Sequence, residues 1–234
     1  MTAELLRVVG LNAFYGESHI LHGVDFNVQR GEIVTLLGRN GAGRTTTLKA
    51  LLGLVRHRSG SVMINGCEAI ALPPHKIAHL GVGYCPEERG IYSSLSAEEN
   101  LVLPSLVGQG GMSVDEIYVM FPNLKERRDT QGTRLSGGEQ QMLAVARTLR
   151  TGAKLLLLDE ISEGLAPVIV QGLSRTIHEL RRRGYTIVMV EQNFRFAAPL
   201  ADRFYIMERG LIVQAFSAPE LPDKMAMVRE FLGV

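Results

Sequence analysis

Apolar positions along this chain switch between alternation, unbroken runs and helical spacing, and each mode predicts a different kind of element. Leu5-Leu6-Arg7-Val8-Val9 and the alternating stretch Ile20 to Val28 predict half-buried strands, and the unbroken run Ile33 to Leu37 predicts a strand buried on both faces. Ser59 to Gly66 and Leu80 to Pro86 read as further short strands bounded by turn residues. Helical signals then dominate. Ser96-Ala97-Glu98-Glu99 is a capping box opening a helix through about Leu106, and Val114 to Met120 predicts a second helix beyond Gly108-Gln109-Gly110-Gly111. Ser136-Gly137-Gly138-Glu139 is another capping box, placed before the amphipathic run Gln141 to Leu149.

The strand pattern returns at Lys154-Leu155-Leu156-Leu157-Leu158, which ends in the acids Asp159 and Glu160. Pro167 opens a helix to Arg183, Tyr185 to Asn193 reads as a strand with a polar end, and Asp202 to Phe216 as a hairpin turning at Glu208-Arg209-Gly210. A short helix ends the chain. Strands alternating with helices predict an α/β frame. The frame is expected over residues 1–86 and 150–234, with a helical insertion over 87–149.

Composition narrows the class. With 234 residues, 46% of them hydrophobic, the chain can bury a sizeable core as one domain with a subdomain. A net charge of +1 gives no general case for nucleic acid, so no nucleic-acid partner is expected. Arg181-Arg182-Arg183 before Gly184 reads as the cationic end of a helix. The two cysteines, Cys67 and Cys85, have no metal-ligand spacing and are expected to be reduced. No window approaches the roughly 18 apolar residues of a membrane span, and the first residues lack the regions of a signal peptide. The expectation is a chain that stays inside the cell.

The chemistry concentrates at Gly38-Arg39-Asn40-Gly41-Ala42-Gly43-Arg44-Thr45-Thr46, between the Ile33–Leu37 run and a predicted helix. Strand, Gly-rich turn and helix are the context in which G-x-x-x-x-G-K-[ST] cradles phosphate, and one position departs, with Arg44 where the lysine is usual. The glycines let successive N–H groups and the positive helix end converge on an anion. Thr45 would place its hydroxyl on Mg²⁺, and Thr46 suits a neighbouring phosphate. Asp159 suits a Mg²⁺ carboxylate and Glu160 a base that deprotonates an attacking water, although a solvated strand end also explains acids there. Ser136, Gly137 and Gly138 form a second glycine-lined helix start able to meet an anion, or simply a cap. Tyr15 in Phe14-Tyr15-Gly16 could stack on a purine or serve as plain packing.

With cradle, helix-start signature, acid-ended strand and polar strand end in this order, the chain resembles the ATP-binding subunit of ABC transporters over nearly its full length. The resemblance implies a P-loop NTPase core, a mixed sheet flanked by helices with an N-terminal antiparallel β portion, carrying a helical subdomain insertion. It implies ATP and Mg²⁺ as ligands. Leu135 to Glu139 matches the signature motif, and two subunits of the family pair head to tail so that each signature covers the phosphate in the other's cradle. Carried over, the nucleotide set is Tyr15, Gly38, Arg39, Asn40, Gly41, Ala42, Gly43, Arg44, Thr45, Thr46, Ser136, Gly137 and Gly138. The metal set is Thr45, Glu87 and Asp159, the catalytic set Glu160, Gln192 and Arg44, and Ser162-Glu163-Gly164-Leu165 the loop that spans the dimer.

Glu87 stands where a Gln is usual, Ile161 where a Pro is, and Gln192 where a switch His is. Two of these departures are informative: Pro86-Glu87 with Ser94-Leu95-Ser96 and Glu98-Glu99-Asn100-Leu101, the segment Gly164-Leu165-Ala166-Pro167, and Val190-Glu191-Gln192-Asn193 are similar to the shorter ATPase subunit of importers for branched-chain amino acids and related amides or urea. That similarity implies two transmembrane permease subunits, a paralogous ATPase subunit, indirectly a solute-binding protein, and a peripheral place on the cytoplasmic face of the membrane. The alternatives are the ATPase of a lipopolysaccharide-type exporter and, less well supported by one cradle and no heptad run, a soluble ABC protein of repair or translation. A planar guanidinium cannot follow the phosphates as an ammonium does, so Arg44 implies ATP binding with slow hydrolysis.

Overall fold

The computed structural model describes residues 3–233. The chain opens with a long hairpin, β1 (Glu4–Tyr15) and β2 (Ser18–Gln29), followed by the short buried strand β3 (Ile33–Leu37) and helix α1 (Arg44–Leu51). Next come β4 (His57–Ile64), β5 (Cys67–Glu68), α2 (Pro74–Ala78) and β6 (Val82–Cys85). Four helices follow, α3 (Ala97–Val102), α4 (Val114–Met120), α5 (Pro122–Glu126) and α6 (Gly137–Arg150). The remainder alternates as β7 (Leu155–Asp159), α7 (Pro167–Arg182), β8 (Thr186–Glu191), α8 (Phe194–Ala197), β9 (Arg203–Glu208), β10 (Leu211–Ser217) and α9 (Leu221–Leu232).

Two sheets result. One is antiparallel in the order β2-β1-β4-β5, and the other has the order β10-β9-β3-β8-β7-β6. In the second, β9, β3, β8, β7 and β6 run parallel and only β10 is antiparallel. The mixed sheet and its helices are the expected α/β architecture. Every residue of β3, β7 and β8 is buried, which explains why these strands read as mostly apolar runs, broken only by Thr35, Thr186 and the terminal acids Asp159 and Glu191.

Alternation along those strands builds two cores. Leu156, Leu158, Ile187 and Met189 face α6 and α7, packing with Leu143, Leu149, Leu173 and Leu180. Leu155, Leu157, Val188 and Val190 face the other way, onto Leu6, Leu21, Leu48 and Leu51. The parallel strands thus all end at one edge of a sheet clamped between two apolar layers.

Capping boxes at Ser96, Ser113 and Ser136 are formed, each serine accepting from the N–H of the glutamate three residues on and each glutamate accepting in return. Helix α3 stops at Val102, short of Leu106, where Pro104 has no N–H to extend the ladder. Tyr15 closes β1 instead of lying in the connection after it. Helices α2 and α5, both opening on proline, span five residues each and are too short to show a helical period. Among the described residues no helix is long and apolar enough to cross a membrane.

The β9–β10 turn supports the sheet edge from below. Gly210, at φ 77°, donates its N–H to the Ala42 carbonyl at 2.9 Å and accepts from the His22 N–H at 2.9 Å. A Cβ there would collide with the Ile20 carbonyl. Gly210→Ala should therefore cost about 2–4 kcal/mol through clash and left-handed backbone together, lowering the thermal midpoint and loosening the Ala42 turn. An unchanged melt would show that the hairpin relaxes freely.

Candidate functional site

The cradle is built where β3 ends. Gly43 sits at φ 101° as the N-cap of α1, and no side chain caps that helix, so its first N–H groups face outward without an internal acceptor. Close approach enforces the glycines. A Cβ on Gly43 would stand 2.8 Å from Leu21 Cδ2, and one on Gly38 would stand 2.5 Å from the Met207 carbonyl oxygen. Thr47 Oγ1 donates to the Gly43 carbonyl at 2.9 Å and holds the turn from inside.

A cavity of about 330 Å³ opens above this turn, lined by Asn40 to Thr46 with Glu87, Glu160 and Glu163. Gly38 lies buried beneath the turn and Arg39 is exposed, its guanidinium set against Gly233 after α9. Tyr15 is 48% exposed on the end of β1 and does not line the cavity.

Thr45 Oγ1 donates to Asp159 Oδ1 at 2.9 Å, and Tyr84 Oη donates to Asp159 Oδ2 at 2.9 Å. Burial raises the Asp159 carboxyl above its ordinary value, and the bonds from Thr45 and Tyr84 oppose that rise. A hydroxyl and a carboxylate held together at the cradle are the hard oxygen donors Mg²⁺ takes, so these residues fit that ion. Glu87 is placed elsewhere, with its carboxylate among those of Glu160 and Glu163, all within 4.8 Å of one another.

Arg44 is 4% exposed. Its Nη2 donates to Glu160 Oε1 at 2.6 Å and to Asn40 Oδ1 at 3.3 Å, while its buried Nη1 has no hydrogen-bond partner among the described residues. An orphaned cationic donor beside uncapped N–H groups fits an anionic oxygen. Glu160 itself occupies the left-handed region at φ 48°, with its N–H on the Val190 carbonyl at 2.9 Å. Burial, reinforced by the Glu163 carboxyl and opposed by Arg44, pushes Glu160 up to about 7. A carboxyl at that value is poised to exchange a proton near neutrality.

Glu160 also borders a second cavity of about 360 Å³, lined by Ser162 to Leu165 and by Glu191, Gln192 and Asn193 at the end of β8. Ser136, Gly137 and Gly138 line neither cavity. Ser136 and Gly137 are exposed at the start of α6, and Gly138 is pressed against Ile169, where a Cβ would come within 2.8 Å of Cγ1. The uncapped start of α1 and the glycine-lined, Ser136-capped start of α6 are therefore not brought together within the chain.

A family model described as ABC transporter matches residues 21–163. The high-affinity branched-chain amino acid transport ATP-binding protein BraG of Pseudomonas aeruginosa is 44% identical over 226 residues, covering 95% of this chain and 97% of that one. The chain belongs to the ABC transporter family. The lipopolysaccharide export system ATP-binding protein LptB of Acidithiobacillus ferridurans is 34% identical, with 99% of this chain and 98% of that one covered. A solved ATP-binding subunit of an ABC transporter, 27% identical, superposes with a TM-score of 0.83 over 98% of this chain and 100% of its own. The cassette is thus an ATPase whose activity is coupled to transport.

Sequence reasoning missed Tyr84 and Glu191. Tyr84 reads as an ordinary strand residue, and only the β6–β7 pairing brings its hydroxyl to Asp159. Glu191, 1% exposed, accepts from the Ser162 N–H at 3.2 Å and from Ser162 Oγ at 2.8 Å, tying β8 to the loop after β7. Burial pushes its carboxyl from the ordinary 4.5 up to about 8, with the Ser162 bonds opposing and Glu160 adding repulsion. A folded value above the unfolded one means that this group's contribution to stability is full below pH 4.5 and is lost as pH rises toward 8. The cassette should lose roughly 1 kcal/mol per pH unit across that window through Glu191, and Glu191→Gln should not. Melts of both proteins between pH 5 and 8.5 test this; parallel curves would show that Glu191 stays ionised on folding.

Proposed function

We propose that this cassette is the ATP-hydrolysing subunit of an importer for branched-chain or related amino acids. It would work at the cytoplasmic face of the membrane with transmembrane permease subunits, a paralogous ATPase subunit and, indirectly, a solute-binding protein. The 44% identity to a branched-chain amino acid transport ATP-binding protein, over 95% of the chain, carries the choice of solute and exceeds the 34% identity to the lipopolysaccharide exporter subunit. Residues 1–86 and 150–234 form the nucleotide core in this reading, and 87–149 the helical subdomain.

Each residue then has a task. Backbone N–H groups from Gly38 to Thr46 hold the phosphates of ATP, with Tyr15 on the base. Thr45 and Asp159, the latter oriented by Tyr84, hold Mg²⁺, which neutralises charge on the transferring phosphoryl group when bound. Glu160 takes the proton of the attacking water, and Gln192 lies beside it across the second cavity. Glu87 lines the opening toward the permease. Ser136, Gly137 and Gly138 complete the site of a partner subunit arranged head to tail, which accounts for two glycine-lined helix starts held apart in one chain.

Deleting the gene should abolish high-affinity uptake of labelled leucine or a related amino acid and leave outer-membrane lipopolysaccharide unchanged. Intact uptake with a lipopolysaccharide defect would overturn the import reading in favour of the exporter.

The Arg44–Glu160 ion pair sets the rate. With Glu160 Oε1 bonded to Arg44 Nη2 at 2.6 Å, one oxygen of the base is taken from the water and the guanidinium is left only Nη1 to offer the phosphate. Binding should suffer less, because the cradle is mostly backbone. A misplaced donor of this kind costs roughly 10²–10³ in turnover. Arg44→Lys, assembled with its partner subunits, should hydrolyse ATP at least tenfold faster than the native chain at similar nucleotide affinity. Equal single-turnover rates would refute this account of Arg44.

A further inference from the structure

The segment between β6 and α3 carries a backbone outlier that the nucleotide site does not use. Arg89 stands in the left-handed region at φ 62°, followed by Gly90 at φ 59°. A glycine at position 89 would adopt that conformation more cheaply, so the turn alone does not call for an arginine. The side chain is half-buried and turns inward onto α6. Nε donates to Gln141 Oε1 and Nη1 to Gln140 Oε1, each at 3.2 Å. The guanidinium covers Gly137, where a Cβ would stand 3.4 Å from Nη1.

Gln140 passes the contact on. Its Nε2 donates to the Leu135 carbonyl at 3.1 Å and to the Gly132 carbonyl at 3.2 Å. Leu135 immediately precedes Ser136, so a continuous chain of hydrogen bonds runs from the loop to the start of α6. Arg147 fastens the same loop further along, donating from Nη1 to the Gly90 carbonyl and lying 5.1 Å over the Tyr92 ring. Ile91 packs against the core, whereas Glu88 and Tyr92 remain exposed.

We propose that Arg89 is the positioning residue of Ser136, Gly137 and Gly138. It locks the loop of residues 86–92 to α6 and, through Gln140, fixes the Leu135 carbonyl and hence the aim of the helix start at a partner's nucleotide. A force applied to Glu88 or Tyr92 moves the helix start with the loop. This rests on the reading that Ser136 to Gly138 act across a dimer.

The test measures ATP-dependent dimerisation of the full chain by sedimentation, and ATP affinity at concentrations where the chain is monomeric. Arg89→Gly removes the bonds while relieving the left-handed backbone, and Gln140→Met removes the relay at nearly constant volume. Each should weaken the ATP-bound dimer roughly tenfold and change monomer affinity less than twofold. The double variant should be no worse than either single one, because both interrupt the same chain. Unchanged dimerisation, or losses that multiply, would overturn the proposal, and Gln140→Met decides alone if Arg89→Gly fails to fold. Ser136→Arg separates the two readings. If it still dimerises with ATP, the cross-subunit role falls and the relay with it; if it does not while Arg89→Gly does, only the relay falls.

Discussion

Burial of β3, β7 and β8 on both faces is the constraint on which the remainder of the molecule depends. A strand packed between two apolar layers places its charged side chains at its ends, and parallel strands put all their carboxyl ends on one edge. The cradle leaves β3 there, Asp159 and Glu160 leave β7, and Glu191 and Gln192 leave β8. Three stretches far apart in sequence thereby become neighbours, and the bonds Thr45–Asp159, Arg44–Glu160 and Ser162–Glu191 then tie them together. The antiparallel sheet and the β9–β10 hairpin contribute from beneath, through Leu21, Met207 and Gly210, by shaping the floor on which the glycines turn.

Within that edge, electrostatics decides behaviour. Three carboxylates, Glu87, Glu160 and Glu163, lie together where the buried Arg44 guanidinium meets Glu160, while a fourth, Asp159, takes two hydroxyl donors. The positive charge is worth most where water is least available, so Arg44 settles on Glu160, which shares its burial, and not on the exposed Glu87. One Arg44 nitrogen remains unpaired, and burial keeps that cost in place until an anion enters. The same guanidinium thus holds Glu160 through Nη2 and leaves Nη1 without a partner among the described residues. A lysine has a single charged nitrogen on a thin stem and can leave the carboxylate without dragging a planar fork through the packed turn.

Most of this arrangement was legible along the chain because the elements that matter obey local rules. Apolar runs announced β3, β7 and β8; the capping boxes at Ser96 and Ser136 announced α3 and α6; Pro167 and Gly184 bracketed α7 and its cap. What was not legible is contact between distant side chains. Nothing in the local pattern marks Tyr84 as the partner of Asp159, since a tyrosine in a strand looks the same whether its hydroxyl meets a carboxylate or water. Glu191 read as a polar strand end, yet it is buried, because the loop after β7 folds over it and offers the Ser162 N–H and hydroxyl. Arg89 is illegible for the same reason: a charge in a loop is solvated by default, and only the approach of α6 supplies Gln140 and Gln141 as acceptors.

These long-range contacts share a physical purpose. The strand ends at this edge are buried throughout, whereas the loop of residues 86–92, the start of α6 and the segment Ser162 to Leu165 reach the core mainly through Ile91, Leu135 and Leu165 and carry several exposed residues. Their positions depend on a few hydrogen bonds, each individually weak and easily exchanged for water. Glu191 holds one such segment to β8 and Arg89 holds another to α6, and both use a charged or chargeable group whose bonds outweigh those of a neutral one. A segment fixed by packing could not shift without a cost spread over many contacts. One fixed by a few polar side chains, as Arg89 and Arg147 fix the loop of residues 86–92, can shift together with those side chains, a mechanical property suited to a cassette that must answer both to nucleotide and to a partner.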